Sequence, residues 1–209
     1  MVKSKFISIY EKNHVNKEDE RVGLFERLNE NFTIKKVLYP GAYAHITPSF
    51  IFPDVIFNDV YKKLEQFYDS DEVYDYINKR KKYSEEPKYV YINADFNNQL
   101  PVDEGEFDLL ISQYSGFISR ACKRYLKIGG ILMANNSHGD ASLASISPGY
   151  EFIAVIHKRS NKFTHSTRDM EKYFIPKKDI KITVEFMEKH RHGVGYMKTA
   201  TDYVFKRVS

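Results

Sequence analysis

The sequence predicts an α/β fold with a doubly wound, mostly parallel sheet and an antiparallel C-terminal strand. Three observations carry this. Short apolar runs alternate with amphipathic stretches over residues 16–156, the pattern of βαβ units. A Lys127-Ile128-Gly129-Gly130 turn leads into the apolar run Ile131-Leu132-Met133-Ala134. Residues 202–208 alternate apolar and polar in a way that suits antiparallel pairing at a sheet edge.

Asn16 is placed to cap a helix reaching about Asn31, with Glu18, Asp19 and Glu20 at its positive end and Val22, Phe25 and Leu28 at helical spacing. Lys36-Val37-Leu38-Tyr39 reads as the first strand, broken by Pro40-Gly41, and Thr47-Pro48 as a cap and first turn of a short helix. Val55-Ile56-Phe57 is the second strand, closed by Asn58-Asp59, with helical stretches following at about 61–68 and 72–82. Tyr89-Val90-Tyr91-Ile92 and residues 107–112 read as the third and fourth strands, residues 116–126 as a helix stopped by the Gly-Gly turn, and 131–134 as the fifth strand. A short helix at 142–147 and a strand at 152–156 follow. The stretch 157–195 is basic and irregular; a short helix near 167–173 and a strand near 180–186 are expected in it.

The length of 209 residues suits one domain, with 157–195 as a basic insertion or lid. Cys122 is the only cysteine, which excludes an intramolecular disulfide and fits a reducing, cytoplasmic setting. The first ten residues lack the long apolar run of a signal peptide, and no stretch approaches the roughly 20 apolar residues that span a bilayer. The net charge of +4 is uneven: residues 1–150 carry 19 basic and 21 acidic side chains, residues 151–209 carry 13 and 7. A basic C-terminal quarter is either a solvated surface or the footprint of an anionic partner.

In a doubly wound sheet the ligand sits beyond the carboxyl ends of the strands. That rule selects the segment from Tyr39 through Pro40, Gly41 and Ala42, then Asp59, then Asp95 with Phe96, then Ser112 with the following Gln113 and Tyr114. Gly41 lets backbone approach a ligand. Asp59, 18 residues later, is placed to accept bonds from the hydroxyls of an adenosine ribose. Asp95 suits an exocyclic amine, with Phe96 as a stacking surface. Each carboxylate is equally a turn former when taken alone.

These segments resemble those of the class I S-adenosylmethionine-dependent methyltransferases. Residues 107–112 resemble that family's fourth strand, and Tyr125-Leu126-Lys127-Ile128-Gly129-Gly130-Ile131-Leu132 its Leu-Lys-Pro-Gly-Gly turn, with Ile128 in the proline position. Residues 55–59 are similar to the second strand with its ribose-binding acid, Ala94-Asp95-Phe96 to the adenine-contacting segment, and residues 203–208 to the antiparallel last strand. The resemblance implies S-adenosylmethionine as cofactor and methyl transfer as activity. It departs at the first loop, where the family's Asp-x-Gly-x-Gly-x-Gly is replaced by residues 39–49, which keep one glycine and add Tyr43 and His45. Three readings follow: the same cofactor in an altered pose, with Thr47 or Ser49 supplying contacts; a different nucleoside or nucleotide; or a non-catalytic relative in a regulatory role.

No catalytic motif stands out. Gln113 and Tyr114 occupy the place of the Asn-Pro-Pro-Tyr pattern of amino-methylating enzymes, of which only the aromatic is echoed. His45 and His138 are candidate bases, with backbone-bonded loop histidines as the plainer alternative. His190 and His192 flank Arg191 without carboxylate or thiol at metal spacing, so no metal is expected. Residues 158–168, with Lys158, Arg159, Lys162, Phe163 and Arg168, mix charge with an aromatic, which suits a nucleic acid or a surface loop.

Overall fold

A computed structural model describes residues 5–160 and 162–209; residues 1–4 of the N-terminal stretch and Asn161 of the basic segment lie outside them. The described strands and helices fall into two compact units, residues 1–100 and 101–209.

In the first unit the chain opens with α1 (Ile7–Tyr10) and a π turn (Glu11–Val15), followed by α2 (Val22–Asn31). The expected helix from Asn16 therefore starts later. Arg21 takes φ 60°, a left-handed conformation outside the helical range, and its guanidinium is held there by both oxygens of Asp19 at 2.8 and 2.7 Å. Asn16 closes the π turn instead, its N–H donating to the Glu11 carbonyl at 2.8 Å. Next come β1 (Lys36–Pro40), a 3-10 turn (Thr47–Phe50) with Pro48 in its first turn, β2 (Asp54–Asp59), α3 (Leu64–Tyr68), α4 (Asp71–Arg80) and β3 (Lys88–Asn93). The three strands pair in parallel in the order β3-β2-β1. Pro40 stands opposite Asn58, and Asp59 opposite Asn93, so the loops that follow the strands leave from one edge. Val37, Leu38, Val55 and Phe57 are buried with Leu24, Phe25 and Leu28 of α2, which forms this unit's core on apolar area removed from water.

The second unit holds β4 (Phe107–Ser112), α5 (Ile118–Ala121), β5 (Leu126–Ala134), α6 (Asp140–Ser145), β6 (Tyr150–Arg159), β7 (Lys162–Ser166), α7 (Val184–His190) and β8 (Asp202–Arg207). Its strand order is β4-β5-β8-β6-β7, with β4 and β5 parallel and the remaining pairs antiparallel. The terminal strand is antiparallel, as expected, but it is not an edge: β5 and β6 flank β8, and residues 202–205 are all buried. The Gly-Gly turn belongs to the strand. Leu126 already pairs with Phe107, the register then slips, and Gly129 at φ 83° absorbs the bulge.

In the stretch 157–195, β6 and β7 form a hairpin, a 3-10 turn covers Met170–Lys172, and α7 replaces the strand expected at 180–186. The Thr183 hydroxyl caps α7 by accepting from Phe186 N at 3.1 Å, Glu185 lies in its first turn, and Lys189 and His190 in its last. These end signals outweigh the β-branched run Ile180 to Val184. Among the described residues no helix is long and apolar enough to cross a membrane.

Candidate functional site

In the first unit, the loop after β1 and the end of β2 are tied together by one carboxylate. Asp59 Oδ2 accepts from Tyr43 N at 2.9 Å, and Oδ1 accepts from Val60 N at 2.7 Å and Tyr61 N at 3.3 Å. Ala42 N donates to the Asn58 carbonyl at 3.1 Å, which fixes the loop a second time. Gly41 takes φ 65° and Tyr43 φ 46°. The glycine does so freely, whereas the tyrosine is strained and held by its amide bond to Asp59 and by Tyr68, whose hydroxyl donates to the Tyr43 carbonyl at 2.6 Å. The Tyr43 ring stands edge-on to Tyr61 at 5.8 Å, and the two residues are 40% and 60% exposed. Asn58 is buried, with its amide N–H groups on the Ile92 and Ala94 carbonyls and its Oδ1 unpartnered. Asp95 lies exposed at the end of β3, where Oδ1 accepts from Asn97 N at 2.9 Å and Nδ2 at 2.8 Å, with Phe96 half-buried beside it.

The rest of the loop turns inward. His45 is buried and bonded at both nitrogens. Nε2 lies 3.0 Å from the Glu20 carbonyl, which can only accept, so Nε2 carries the proton and Nδ1 accepts from the Tyr39 hydroxyl at 3.1 Å. Burial, with the nearby His14 and Arg21, holds its pKa well below the usual histidine range. The His14 ring stacks on it at 4.3 Å, and burial brings His14 down to about 4. Thr47 is spent on Tyr10, whose hydroxyl lies 2.8 Å away, and Ser49 is buried.

In the second unit the end of β4 and the start of α6 meet in a buried cluster. Both oxygens of Asp140 are engaged: the Ser112 hydroxyl donates to Oδ2, Ser119 N donates to Oδ2 at 2.9 Å, and the Ser119 hydroxyl donates to Oδ1 at 2.5 Å. Burial pushes this carboxyl up to about 6, against the three bonds that stabilise its anion. Gln113 is buried, and its Nε2 donates to Asp202 Oδ1 at 3.0 Å. Tyr114 follows at φ 59° and is 58% exposed. His138 is exposed on the loop after β5. The Ser137 hydroxyl donates to Asn135 Oδ1 at 2.8 Å, so at its 3.0 Å contact with His138 Nδ1 the ring is the donor. In the neutral ring that tautomer leaves the lone pair on Nε2.

No family model matches the sequence, and no curated protein does. Solved structures do. A SAM-dependent methyltransferase from Thermotoga maritima, described as a possible histamine N-methyltransferase, is 13% identical over 98% of this chain and 97% of that one, with a TM-score of 0.51. The fold is that of a class I methyltransferase. A methyltransferase from Geobacter sulfurreducens is 12% identical over 78% of this chain and 87% of that one, with a TM-score of 0.49. The YcgJ protein from Bacillus subtilis is 18% identical over 59% of this chain, with a TM-score of 0.40, and the match spans about half of that chain's length, 54%.

Within the class I methyltransferase fold the predicted positions divide into two groups. Tyr39, Pro40, Gly41, Ala42 and Asp59 are brought together at the joined ends of β1 and β2, while Asp95 and Phe96 stay at the end of β3. Ser112, Gln113 and His45 have their polar atoms turned to buried partners, whereas Tyr114 and His138 stand exposed. Asp140 and Tyr68 take part in these contacts without a motif in the sequence that marks them. An acid directly after Gly139 is a signal for a helix start, which α6 confirms, but not for burial.

Proposed function

We propose that this chain is an S-adenosylmethionine-dependent methyltransferase. The observation that supports it most is the carboxylate-tethered loop at the ends of β1 and β2, set in a class I methyltransferase fold. Asp59 spends three of its about four lone-pair sites on backbone amides, which leaves one on Oδ2 for a ribose hydroxyl. Gly41 brings the backbone of residues 39–42 close to the ligand, Tyr43 and Tyr61 offer exposed ring surface, and Asp95 with Phe96 receives the base. The bound cofactor supplies an electrophilic methyl group at its sulfonium. Methyl transfer needs the acceptor oriented and its proton received, and within the second unit the exposed His138 and Tyr114 are the groups with the chemistry for those tasks. His45 and Tyr39 brace the loop from inside, and Ser112 and Gln113 fix the end of β4. A single buried thiol, Cys122, fits a reducing cytoplasmic setting.

The test is ligand-induced stabilisation. S-adenosylhomocysteine at 100 times its Kd should add about 2.7 kcal/mol to stability, which for a domain of this size raises Tm by roughly 5–11 °C. Asp59→Ala should need at least tenfold more ligand for the same shift. An unmoved melting curve at millimolar ligand overturns the reading.

A nucleic-acid acceptor is favoured by one feature, the β6–β7 hairpin, where the Lys158 ammonium stands 5.8 Å from the Phe163 ring with Arg159 and Lys162 beside it. Oligonucleotide binding that weakens steeply with salt supports this partner, and no binding at low salt removes it.

A further inference from the structure

The stretch 175–195 encloses a cavity of about 410 Å³ in the second unit, within the size range of small-molecule sites. Its walls are firmly built. Lys177 N donates to the Gly195 carbonyl at 2.9 Å and Met197 N to the Ile175 carbonyl at 2.8 Å, so two arms of chain are zipped together. Tyr196 is buried, and its hydroxyl donates to Ser142 of α6 at 2.7 Å. Gly193 sits so close to the loop after β5 that a Cβ there would meet the Asn136 carbonyl oxygen at 2.0 Å. The cavity is therefore anchored on the same loop that carries His138.

Its lining has two characters. Ile180, Val194 and the ring of Phe186 make an apolar wall, and His190 stacks face to face on Phe186 at 3.9 Å, so the pair adds a two-ring stack to the lining. Lys177 and Lys178, both exposed, stand side by side in the same lining and give it two cationic side chains. Among the described residues no carboxylate lines it; Glu188 on α7 is tied to Arg120 at 2.5 Å, and Asp179 lies outside the lining. His190 donates Nδ1–H to the Phe186 carbonyl at 2.9 Å, which holds the ring in the wall.

We infer that this cavity binds a small phosphomonoester with an aromatic or apolar body, the dianion meeting Lys177 and Lys178 and the body lying on Phe186, His190 and Val194. Two cationic side chains match the double charge of such an ester, and the ring stack with its apolar wall matches an aromatic body. The site's existence is independent of methyl transfer.

Calorimetry on the full chain tests this with phenyl phosphate, inorganic phosphate and phenol as separate probes. Phenyl phosphate should bind at least tenfold tighter than either half, and Lys177→Ala/Lys178→Ala should weaken it at least tenfold. The charge-keeping Lys177→Arg/Lys178→Arg pair should restore binding to within about threefold. Both lysines are exposed, so the variants should melt like the parent. Equal affinity for phenyl phosphate and phenol, or unchanged affinity in the alanine pair, overturns the inference. S-adenosylhomocysteine titrated into the alanine pair separates the two claims: binding like the parent's, with phenyl phosphate binding lost, supports this site. Loss of both together would mean that the variant, rather than the pocket, had failed, and phenyl phosphate binding that persisted in Phe186→Ala as well would contradict the assigned wall.

Discussion

Backbone amides of Tyr43, Val60 and Tyr61 converge on Asp59, so this side chain shapes the loop beside its proposed part in ligand binding. Hydrogen bonds to a charged acceptor are worth about 1.5–3 kcal/mol each in place, and water recovers part of that at a half-buried site. Asp59→Ala should therefore cost about 1–3 kcal/mol of stability, measured by urea unfolding, in addition to its loss of ligand affinity. A variant as stable as the parent would mean the loop holds its strained Tyr43 without the carboxylate. The histidine pair behind the loop gives a second prediction. The pKa of His14 is depressed from 6.5 to about 4, chiefly by burial, so below 6.5 the unfolded chain binds more protons than the folded one. Stability is full above that pH and falls as the pH drops towards 4. Both His14 ring nitrogens lack partners, so His14→Phe keeps the stacked ring and removes the titration. It should match or exceed the parent at about pH 8 and lose less stability on acidification, read from melting curves across the pH range. A variant with the parent's acid slope would place the titration elsewhere.

At the scale of elements, the junction of β4, α5 and α6 is held by Asp140, and its linkage runs the other way. Its pKa is raised from 3.8 to about 6, so in that window the folded state binds the extra proton and stability falls as pH rises. Asp140→Asn removes this dependence. The stability of the parent minus that of the variant should fall between about pH 4 and 6 and stay level above, and a flat difference would show that the carboxyl is not held in this way. The strap of residues 192–193 over the loop after β5 is the other junction with a clear consequence. A methyl at Gly193 collides with backbone rather than with a movable side chain, so Gly193→Ala should cost about 1–3 kcal/mol by overpacking. It should also weaken phenyl phosphate binding while leaving ligand binding at Asp59 intact, because the clash stays within the second unit. The sequence made these elements unequally readable. Buried strands such as Val55-Ile56-Phe57 announce themselves as apolar runs, and β3, though none of its residues is buried, keeps the apolar run Tyr89 to Ile92, so β1 to β5 were all legible. α7 was not, because its β-branched approach masked the Thr183 cap. Nor was the late start of α2, which depends on a left-handed Arg21 held by Asp19.

For the whole molecule, the α/β class and antiparallel terminal strand follow from strand periodicity, while the interior position of β8 depends on β6, paired with it across some fifty residues of chain. The candidate site was legible where strand ends define it, as at Gly41 and Asp59. It was not legible where side chains distant in sequence decide the role of a polar group: His45 is fixed by Glu20, and Ser112 by Asp140. Those contacts explain why a loop with one glycine is compatible with this fold. Its bulk, apart from Tyr43, is turned into the first unit, and Ala42, Ala44, His45, Ile46, Thr47 and Ser49 are buried. The most direct test of that account is titration calorimetry of the full chain with S-adenosylhomocysteine. The account predicts one-to-one binding tighter than millimolar that weakens at least tenfold in Asp59→Ala. Absence of heat at millimolar ligand, or an affinity unmoved by Asp59→Ala, would contradict it.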